Sequence, residues 1–374
     1  MESGKKEIKY LTIKNHILRM IQEGQYRVGD RLPSEQELAQ SHAVSVITSK
    51  KALDELEREG LISRVKGSGS FVAASQPIAG PNHVKMIAMV LPLGSDTGGG
   101  LELFYSVEMI AKSHGYYVTV ENTHSSSQRE REILLSLLGD GIEGIIYYPM
   151  FTAENFDLIK KLTMEKYPIV IIDKAIHDIE VDSVRCDNYN ASLALTRHLI
   201  ACGHRNIAFV SENVINERSS LRERFLGYSD ALAEAGILLN LDNVLFPGAK
   251  GETAMEKNER TAYYKSVADH VLRDRSITAL QVSSDRVAVE LMRVCVKKGI
   301  SVPKDVSIVG FDDLDVASYI TPALTTAKQN FRAIGQTAAE LVIGRLKNKD
   351  RKAEKVLIPA ELIVRKSVQQ IEPR

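Results

Sequence analysis

Tryptophan is absent from this 374-residue chain, and cysteine nearly so, with three in all. Cys186, Cys202 and Cys295 stand far apart and form no Cys-x-x-Cys pair, which argues against a zinc knuckle and a disulfide framework. An odd, scattered set fits ordinary thiols in a reducing compartment. Long apolar runs are missing too: nothing approaches the ~18 consecutive apolar residues of a membrane span. The opening Met-Glu-Ser-Gly-Lys-Lys-Glu has no apolar core of leader length. The expectation is a cytoplasmic protein with no membrane partner. A basic surplus is lacking as well, with 48 basic residues against 48 acidic. The nine histidines show no His-x-x-x-His or His-Glu pairing, so no metal site is expected. Nor does any Ser-His-Asp arrangement or cofactor loop stand out; no catalytic residue and no cofactor are expected.

What is present is an ordinary globular composition, 44% hydrophobic and 26% charged, with enough length for two or three folding units. Three zones follow one another. Residues 1–72 hold a compact helical pattern from 10 onward and end in a Gly-rich hairpin. Residues 73–84 contain two prolines, one glycine and His83 as the single ionisable side chain, a linker composition. Residues 85–374 alternate short apolar runs with amphipathic helices. The expected strands are 86–91, 117–120, 144–148, 169–172, 206–210, 278–282 and 306–310. The expected helices are 104–114, 129–138, 153–165, 190–202, 221–235, 261–273 and 285–298. Apolar runs of four to six residues between helices imply parallel sheets covered on both faces. The length is too great for one simple doubly wound domain, and two similar lobes fit better. The fold class expected is therefore α/β, with a smaller α+β unit at the front.

In the front unit, Ile13, Ile17, Leu18 and Ile21 form one stripe of a helix over 10–22. Ser34 followed by Glu37 is a capping box, with Pro33 just outside it, and a short second helix starts there. A third helix begins after Ser45. Its inward residues are Ser49, Ala52, Leu53 and Leu56; Val46, Ile47, Lys50 and Lys51 face outward. Two short helices joined by a tight turn, the second carrying outward basic residues, make a helix-turn-helix plan. Residues 63–72 then read as a β-hairpin whose tip holds Lys66 and Gly67. Such a wing can reach phosphate or the minor groove, and its glycines permit close approach. The charges give little support, with twelve basic against ten acidic residues up to 72. On pattern alone a helical bundle that touches no DNA stays open.

Residues 10–72 resemble the gluconate-repressor (GntR) winged-helix domain along their full length. The match covers Leu32-Pro-Ser-Glu35, Val44-Ser45, Thr48, Lys50, Ala52-Leu53, Leu56, Glu59-Gly-Leu61 and Gly67-Ser-Gly-Ser-Phe-Val72. The resemblance implies operator contacts at Arg31 and Ser34, at Ser45, Thr48 and Lys50 on the third helix, and at Lys66 and Gly67 on the wing. The sequence departs from the family at three places. Val46 stands where arginine is usual, Ala43 replaces the turn glycine, and Lys50 replaces a common arginine. Valine has no fork for guanine or phosphate, and lysine keeps the charge but loses the fork. The operator sequence stays open.

In the long unit, polar residues follow the apolar runs: Asp173 and Lys174, Ser284 and Asp285, Asp312 and Asp313. Ligands of open parallel sheets bind beyond the carboxyl ends of the strands. Carboxylates, Lys and Arg suit a polyol, whose hydroxyls each need a donor and an acceptor. Read singly, each acid is as well explained as a helix cap or a solvated loop residue, Asp285 as the cap of helix 285–298 in particular. From 86 to about 368 the chain resembles the lactose/galactose-repressor sensor domain, itself similar to periplasmic sugar-binding proteins. The match lies in Gly141-Ile-Glu-Gly-Ile-Ile146, Val170-Ile-Ile-Asp173, Asp187-Asn188, 198–208, 224–228, 306–313 and 322–329. The resemblance implies ligand contacts at Asp173, Lys174, Arg224, Ser284, Asp312 and Gln329, with Phe104 near the mouth. Ser284 departs from a frequent asparagine. With no tryptophan, any ring stacked on a sugar must be Phe or Tyr.

A winged-helix head on this type of body is similar to arabinose-repressor regulators, which makes L-arabinose a candidate effector. The reading implied is a homodimeric repressor, binding operator DNA and released by a small sugar held between lobes. A sugar phosphate or a nucleoside is the alternative effector. Two rivals fare worse. A sugar-converting enzyme needs a nucleophile or cofactor loop, and a transport binding protein leaves the head unexplained. Gly139-Asp-Gly-Ile-Glu-Gly144 spells Gly-x-Gly-x-x-Gly, but it follows a helix and opens a strand, the reverse of a dinucleotide fingerprint.

Overall fold

The computed structural model describes residues 9–22, 24–58, 60–65, 68–73, 84–93, 98–149, 154–176, 178–215, 218–247 and 257–372. Contacts divide the chain into two units, Met1–Val84 and Lys85–Arg374. The wing residues Lys66 and Gly67 and almost all of 73–84 lie outside the described residues.

The first unit comprises α1 (Lys9–Gln22), α2 (Glu35–Ser41), α3 (Val46–Arg58), β1 (Ile62–Val65) and β2 (Gly69–Val72). Ile13 and Ile17 of α1, Leu38 of α2, and Ala52, Leu53 and Leu56 of α3 bury one stripe each in a shared core, closed by Ile62 and Val72 of the hairpin. The starts of α2 and α3 are held locally. The Ser34 hydroxyl accepts the Glu37 N–H while the Glu37 carboxylate accepts the Ser34 N–H, the full capping box. Those bonds, the backbone N–H of Ser34 first, hold the exposed Glu37 carboxyl below its ordinary pKa. Ser45 Oγ accepts the Thr48 N–H at the start of α3. The hairpin pairs antiparallel from Ile62↔Val72 to Val65↔Gly69. Residues 29–32 add to its outer side: Leu32 donates to the Ser70 carbonyl and Val72 to that of Asp30.

In chain order the second unit contains β3 (Met86–Leu91), α4 (Gly100–Ser113), β4 (Tyr117–Asn122), α5 (Ser127–Gly139), β5 (Gly144–Tyr147), α6 (Phe156–Met164), β6 (Ile169–Ile172), β7 (Asp182–Cys186), α7 (Asn188–Ala201), β8 (Ile207–Val210), α8 (Ser219–Glu234), β9 (Val244–Leu245), α9 (Lys257–Arg273), β10 (Ala279–Val282), α10 (Asp285–Lys297), β11 (Ser307–Val309), α11 (Asp315–Tyr319), β12 (Thr326–Lys328), α12 (Phe331–Lys347), β13 (Lys355–Ile358) and β14 (Glu361–Ile363). Two parallel sheets result, ordered β13-β7-β6-β5-β3-β4 and β11-β10-β8-β9. Both are covered on both faces, so successive residues of one strand enter different cores. Ile87, Met89 and Leu91 of β3 meet Leu103 of α4 and Val342 of α12. Ala88 and Val90 meet Leu134 of α5 and Ile159 of α6. In the second lobe, Phe209 faces Leu195 of α7 and Tyr228 of α8, while Ala208 and Val210 face Val267 of α9 and Leu291 of α10. Gly227 lets α8 press onto α7: an added Cβ would stand 2.3 Å from the Tyr189 carbonyl oxygen.

The alternation expected from the sequence is present, with shifted ends: α4 starts at Gly100, and α6 at Phe156. Strands β7 and β9 and everything after β11 lay beyond that alternation. These late elements decide the architecture. The chain leaves the first lobe after β7, builds the second, returns through α12 and β13, and crosses back to pair β14 with β12. Three segments, near 187, 329 and 359, therefore join the lobes. No helix among the described residues is long and apolar enough to cross a membrane. Cys186 and Cys295 are buried in the cores, Cys202 is partly exposed, and all three are free thiols.

Candidate functional site

The ends of β5, β6 and β11, the start of α8 and the second joining segment meet at one place. From the first lobe come Tyr148, Asp173 and Lys174, each just past the carboxyl end of its strand. Lys174 is buried, with Nζ 2.5 Å from Asp173 Oδ2, 3.1 Å from Ser220 Oγ of the second lobe, and 5.3 Å from the centre of the Tyr148 ring. Burial pushes the lysine pKa down, opposed by Asp173 and helped by Arg218. Burial works against the Asp173 carboxylate, but Lys174, the Tyr148 hydroxyl and Arg224 together outweigh it and hold its pKa below the usual value. Tyr148 goes well up, through burial first and then Asp173.

From the second lobe come Arg224 and Asp312. Arg224 Nε donates to Asn188 Oδ1 at 2.8 Å and Nη1 to the Ser283 carbonyl; Nη2 lies 3.6 Å from Asp312 Oδ1. The guanidinium carbon sits 3.6 Å from the Phe311 ring centre. Gln329, in the second joining segment, donates Nε2 to Asp312 Oδ1 at 2.7 Å. Its other amide atom, Oε1, is buried with no partner among the described residues. Burial raises Asp312 to about 6, with Arg224 pulling the other way. Asp173, Asp312 and Asp313 have φ of +66°, +117° and +58°, a backbone region that costs a non-glycine residue free energy and gathers at functional sites.

Asp173, Lys174, Arg224, Asp312 and Gln329 are thus brought into one linked set. A small pocket borders this set; Asp173 and Gln329 line it together with Tyr148, Leu93, Leu103, Phe331 and Ile334, while Lys174, Arg224 and Asp312 stand behind them. It leaves about 30 Å³, the room of a water or two. Polar bonds cross from the end of β6 to the start of α8: Lys174 to Ser220, and the Ala175 N–H to Ser219 Oγ at 3.0 Å. The arrangement is closed.

Two expected contacts, Phe104 and Ser284, stand outside this linked set. Phe104 is half-buried against the first-lobe core beside Tyr105 and does not line the pocket; the rings that do are Tyr148 and Phe331. Ser284 is the N-cap of α10, accepting from the Val287 N–H, which also corrects the reading of Asp285 as that cap. Asp285 is buried inside the lobe, accepting from Thr326 Oγ1 and the Leu314 N–H. Burial, then Asp312, pushes its carboxyl up to about 8. Sequence reasoning missed Tyr148, Asn188, Ser220 and Phe331. Tyr148 was findable by the strand-end rule that found Asp173. A larger opening of about 560 Å³ lies at the other end of the first sheet, where Arg345 and Arg351 pair with Asp182 and Lys166 with Asp350, and where Lys349 and Lys352 make no ion pair among the described residues. We read it as structural.

In the first unit, Ser45, Val46, Ile47 and Lys50 are exposed at one end of α3, with Thr48 half-exposed. Ser45 Oγ and Thr48 Oγ1 hydrogen-bond each other at 2.8 Å. Arg31 bridges Phe71, and its guanidinium lies over Gly69, where an added Cβ would come within 3.0 Å of Nε. The Ser34 hydroxyl accepts the Glu37 N–H in its cap, which leaves its own hydrogen to donate outward.

Comparison with known proteins agrees with both halves. The family described as "Bacterial regulatory proteins, gntR family" matches residues 9–72, and "Periplasmic binding protein-like domain" matches residues 196–368. The chain is 29% identical over 371 residues to the arabinose metabolism transcriptional repressor of Geobacillus stearothermophilus, covering 97% of this chain and 98% of that one. It is 30% identical over 271 residues to the HTH-type transcriptional repressor PurR of Photobacterium profundum, covering 72% and 77%. A LacI family transcriptional regulator from Enterococcus faecium, solved with bound ribose, superposes with a TM-score of 0.64 at 24% identity, over 77% of this chain and all of that one. The chain belongs to the transcriptional repressors that join a gntR-family winged-helix head to a periplasmic-binding-protein-like body.

Proposed function

We propose that this repressor works in the cytoplasm as a homodimer, holds its operator through Arg31, Ser34, Ser45, Thr48, Lys50 and the wing residues Lys66 and Gly67, and lets go when a monosaccharide binds between the lobes of its body. The observation that carries the ligand site is the Asp173–Lys174 and Arg224–Asp312–Gln329 set, drawn from both lobes and from a segment that joins them. Asp173 and Gln329 of this set, with Tyr148, bring polar groups into a pocket whose lining also includes Leu93, Leu103, Phe331 and Ile334. A sugar ring has hydroxyls on its rim and C–H groups on its face, and suits both. The buried Oε1 of Gln329 needs a hydroxyl donor. Ser284, just past the carboxyl end of β10, and Phe104, near the mouth, complete the proposed contacts.

L-arabinose is the first candidate, because the arabinose metabolism repressor matches over nearly the whole chain; the similar fold that holds ribose supports a monosaccharide. A sugar phosphate or a nucleoside is the second reading, favoured by the cations Lys174 and Arg224. The ligand is bound and not converted. For the dimer, Leu101, Tyr105 and Met109 recur at helical spacing on the outer face of α4, all exposed, with exposed Tyr117 on the edge strand β4. A contiguous apolar face of this kind is what a second copy would cover. Ligand-driven release requires only that the sugar bind the two lobe arrangements unequally, a coupling of about 1–3 kcal/mol.

Thermal unfolding against a panel of pentoses, hexoses, their phosphates and nucleosides tests the site. A bound ligand at about a hundredfold excess over its Kd adds about 2.7 kcal/mol to the stability of the body. A raised midpoint with one free sugar is expected. A shift with phosphosugars or nucleosides alone would select the second reading, and no shift at all would remove the site.

A further inference from the structure

Helix α3 has two apolar faces. One is the buried stripe Ala52, Leu53 and Leu56. The other is a spot at its first turn, Val46 and Ile47, exposed by 44% and 81%. Nothing in the head's own packing calls for two β-branched aliphatic side chains in water there. The rest of the outward face narrows what the spot can meet. Further along α3, Asp54 and Glu57 stand exposed and, with Glu35, gather round Arg64. That acidic half would be repelled by DNA phosphates. The first turn, with Lys50 and Lys51 beside it, is the end that DNA can approach.

The donors at this end are few. Ser45 and Thr48 hydrogen-bond each other, and Lys51 lies over the Tyr10 ring at 4.3 Å. The first two turns of α3, Val46 to Leu53, hold no fork-shaped side chain to read a guanine or adenine edge. In the major groove one base carries an aliphatic group, thymine with its 5-methyl.

Resting on the reading that α3 enters the major groove, we propose that Val46 and Ile47 read thymine methyl groups and so set the operator sequence. Lys50 supplies charge beside them. Discrimination comes from burying methyl against methyl, and the preferred half-site holds thymine where Val46 and Ile47 touch it.

The test starts from a random library of duplexes. Those bound by the full-length protein are enriched, and Kd is measured by fluorescence anisotropy. Each thymine is then replaced singly by uracil, which removes the methyl and nothing else. Uracil at one or two positions per half-site is expected to weaken binding about fourfold each, the worth of one buried methyl. Ile47→Ala or Val46→Ala, whose unchanged thermal midpoint shows the head intact, should lose that sensitivity at one position and bind the uracil duplex like the unaltered protein. Tight binding indifferent to uracil everywhere would overturn the inference and leave the DNA-binding head standing. Failure to enrich any duplex would overturn both.

Discussion

Replacing Arg224 by alanine removes four contacts at once, and the structure lets the loss be worked out. The guanidinium donates to Asn188 Oδ1 and the Ser283 carbonyl, lies 3.6 Å from the Phe311 ring centre, and sits 3.6 Å from Asp312 Oδ1. At that separation the gross Coulomb attraction is about 5 kcal/mol for an effective dielectric near 20. The net loss is smaller, because Asp312 can escape by taking a proton. With its carboxyl at about 6 in the intact protein, the charged form is favoured over the neutral one by only about 1.4 kcal/mol at pH 7, and by about twice that at pH 8. The neutral form does not need the arginine. The carboxylate therefore contributes at most those amounts to the loss, and almost nothing at pH 5. Two orphaned acceptors add about 1 kcal/mol each and the ring contact up to about 1. The variant should lose about 3–4 kcal/mol at pH 7, up to about 1 kcal/mol further at pH 8, and about 2–3 at pH 5. Urea unfolding of the body followed by far-UV circular dichroism reads this; the chain has no tryptophan to follow by fluorescence. In an Asp312→Asn background the pH dependence of the loss should vanish. A loss that stayed constant from pH 5 to 8 would refute the reasoning. The same variant should bind no effector at any pH.

Three further perturbations separate the parts. Asp285 has a raised pKa, so its neutral form favours the fold. The stability it lends is complete below about pH 4 and is lost as pH rises through about 8. Asp285→Asn should flatten that stretch of the stability profile, and a profile unchanged from wild type would place the carboxyl outside the core. Tyr105→Glu puts a charge in the centre of the α4 stripe; sedimentation equilibrium should show monomer with a folded, ligand-binding body. Lys50→Ala should weaken operator binding and reduce its salt dependence, while the thermal shift with effector stays that of wild type.

Local signals carried the head. The capping box at Ser34, the stripe on α1 and the glycines of the hairpin are written in residues three or four apart, and the structure realises each. They carried the sheets as far as β11, because strands buried on both faces read as uninterrupted apolar runs such as Ile169–Ile172. They failed at β7, whose Asp182-Ser-Val-Arg-Cys mixes polar residues into a central strand. Asp182 is buried there by ion pairs to Arg345 and Arg351, more than 160 residues away in sequence. They failed also at the return of α12 and β13 to the first lobe, which no local pattern encodes. The strand-end rule brought Asp173 and Asp312 to the site but misjudged Asp285, one residue inside α10 rather than before it. That single step turns a cap into a buried acid. Phe331 was hidden for the same reason as α12, of which it is the first residue.

The central claim is that one molecule couples a sugar in the body to DNA on the head. Its most direct test is the affinity of the full-length protein for its enriched operator duplex, by anisotropy, with and without each ligand of the panel. The account predicts that one free monosaccharide weakens binding by about fivefold or more, the least that 1 kcal/mol of coupling gives, and that Arg224→Ala abolishes the effect. Operator binding that no sugar alters, in a protein whose thermal midpoint no sugar raises, would contradict it.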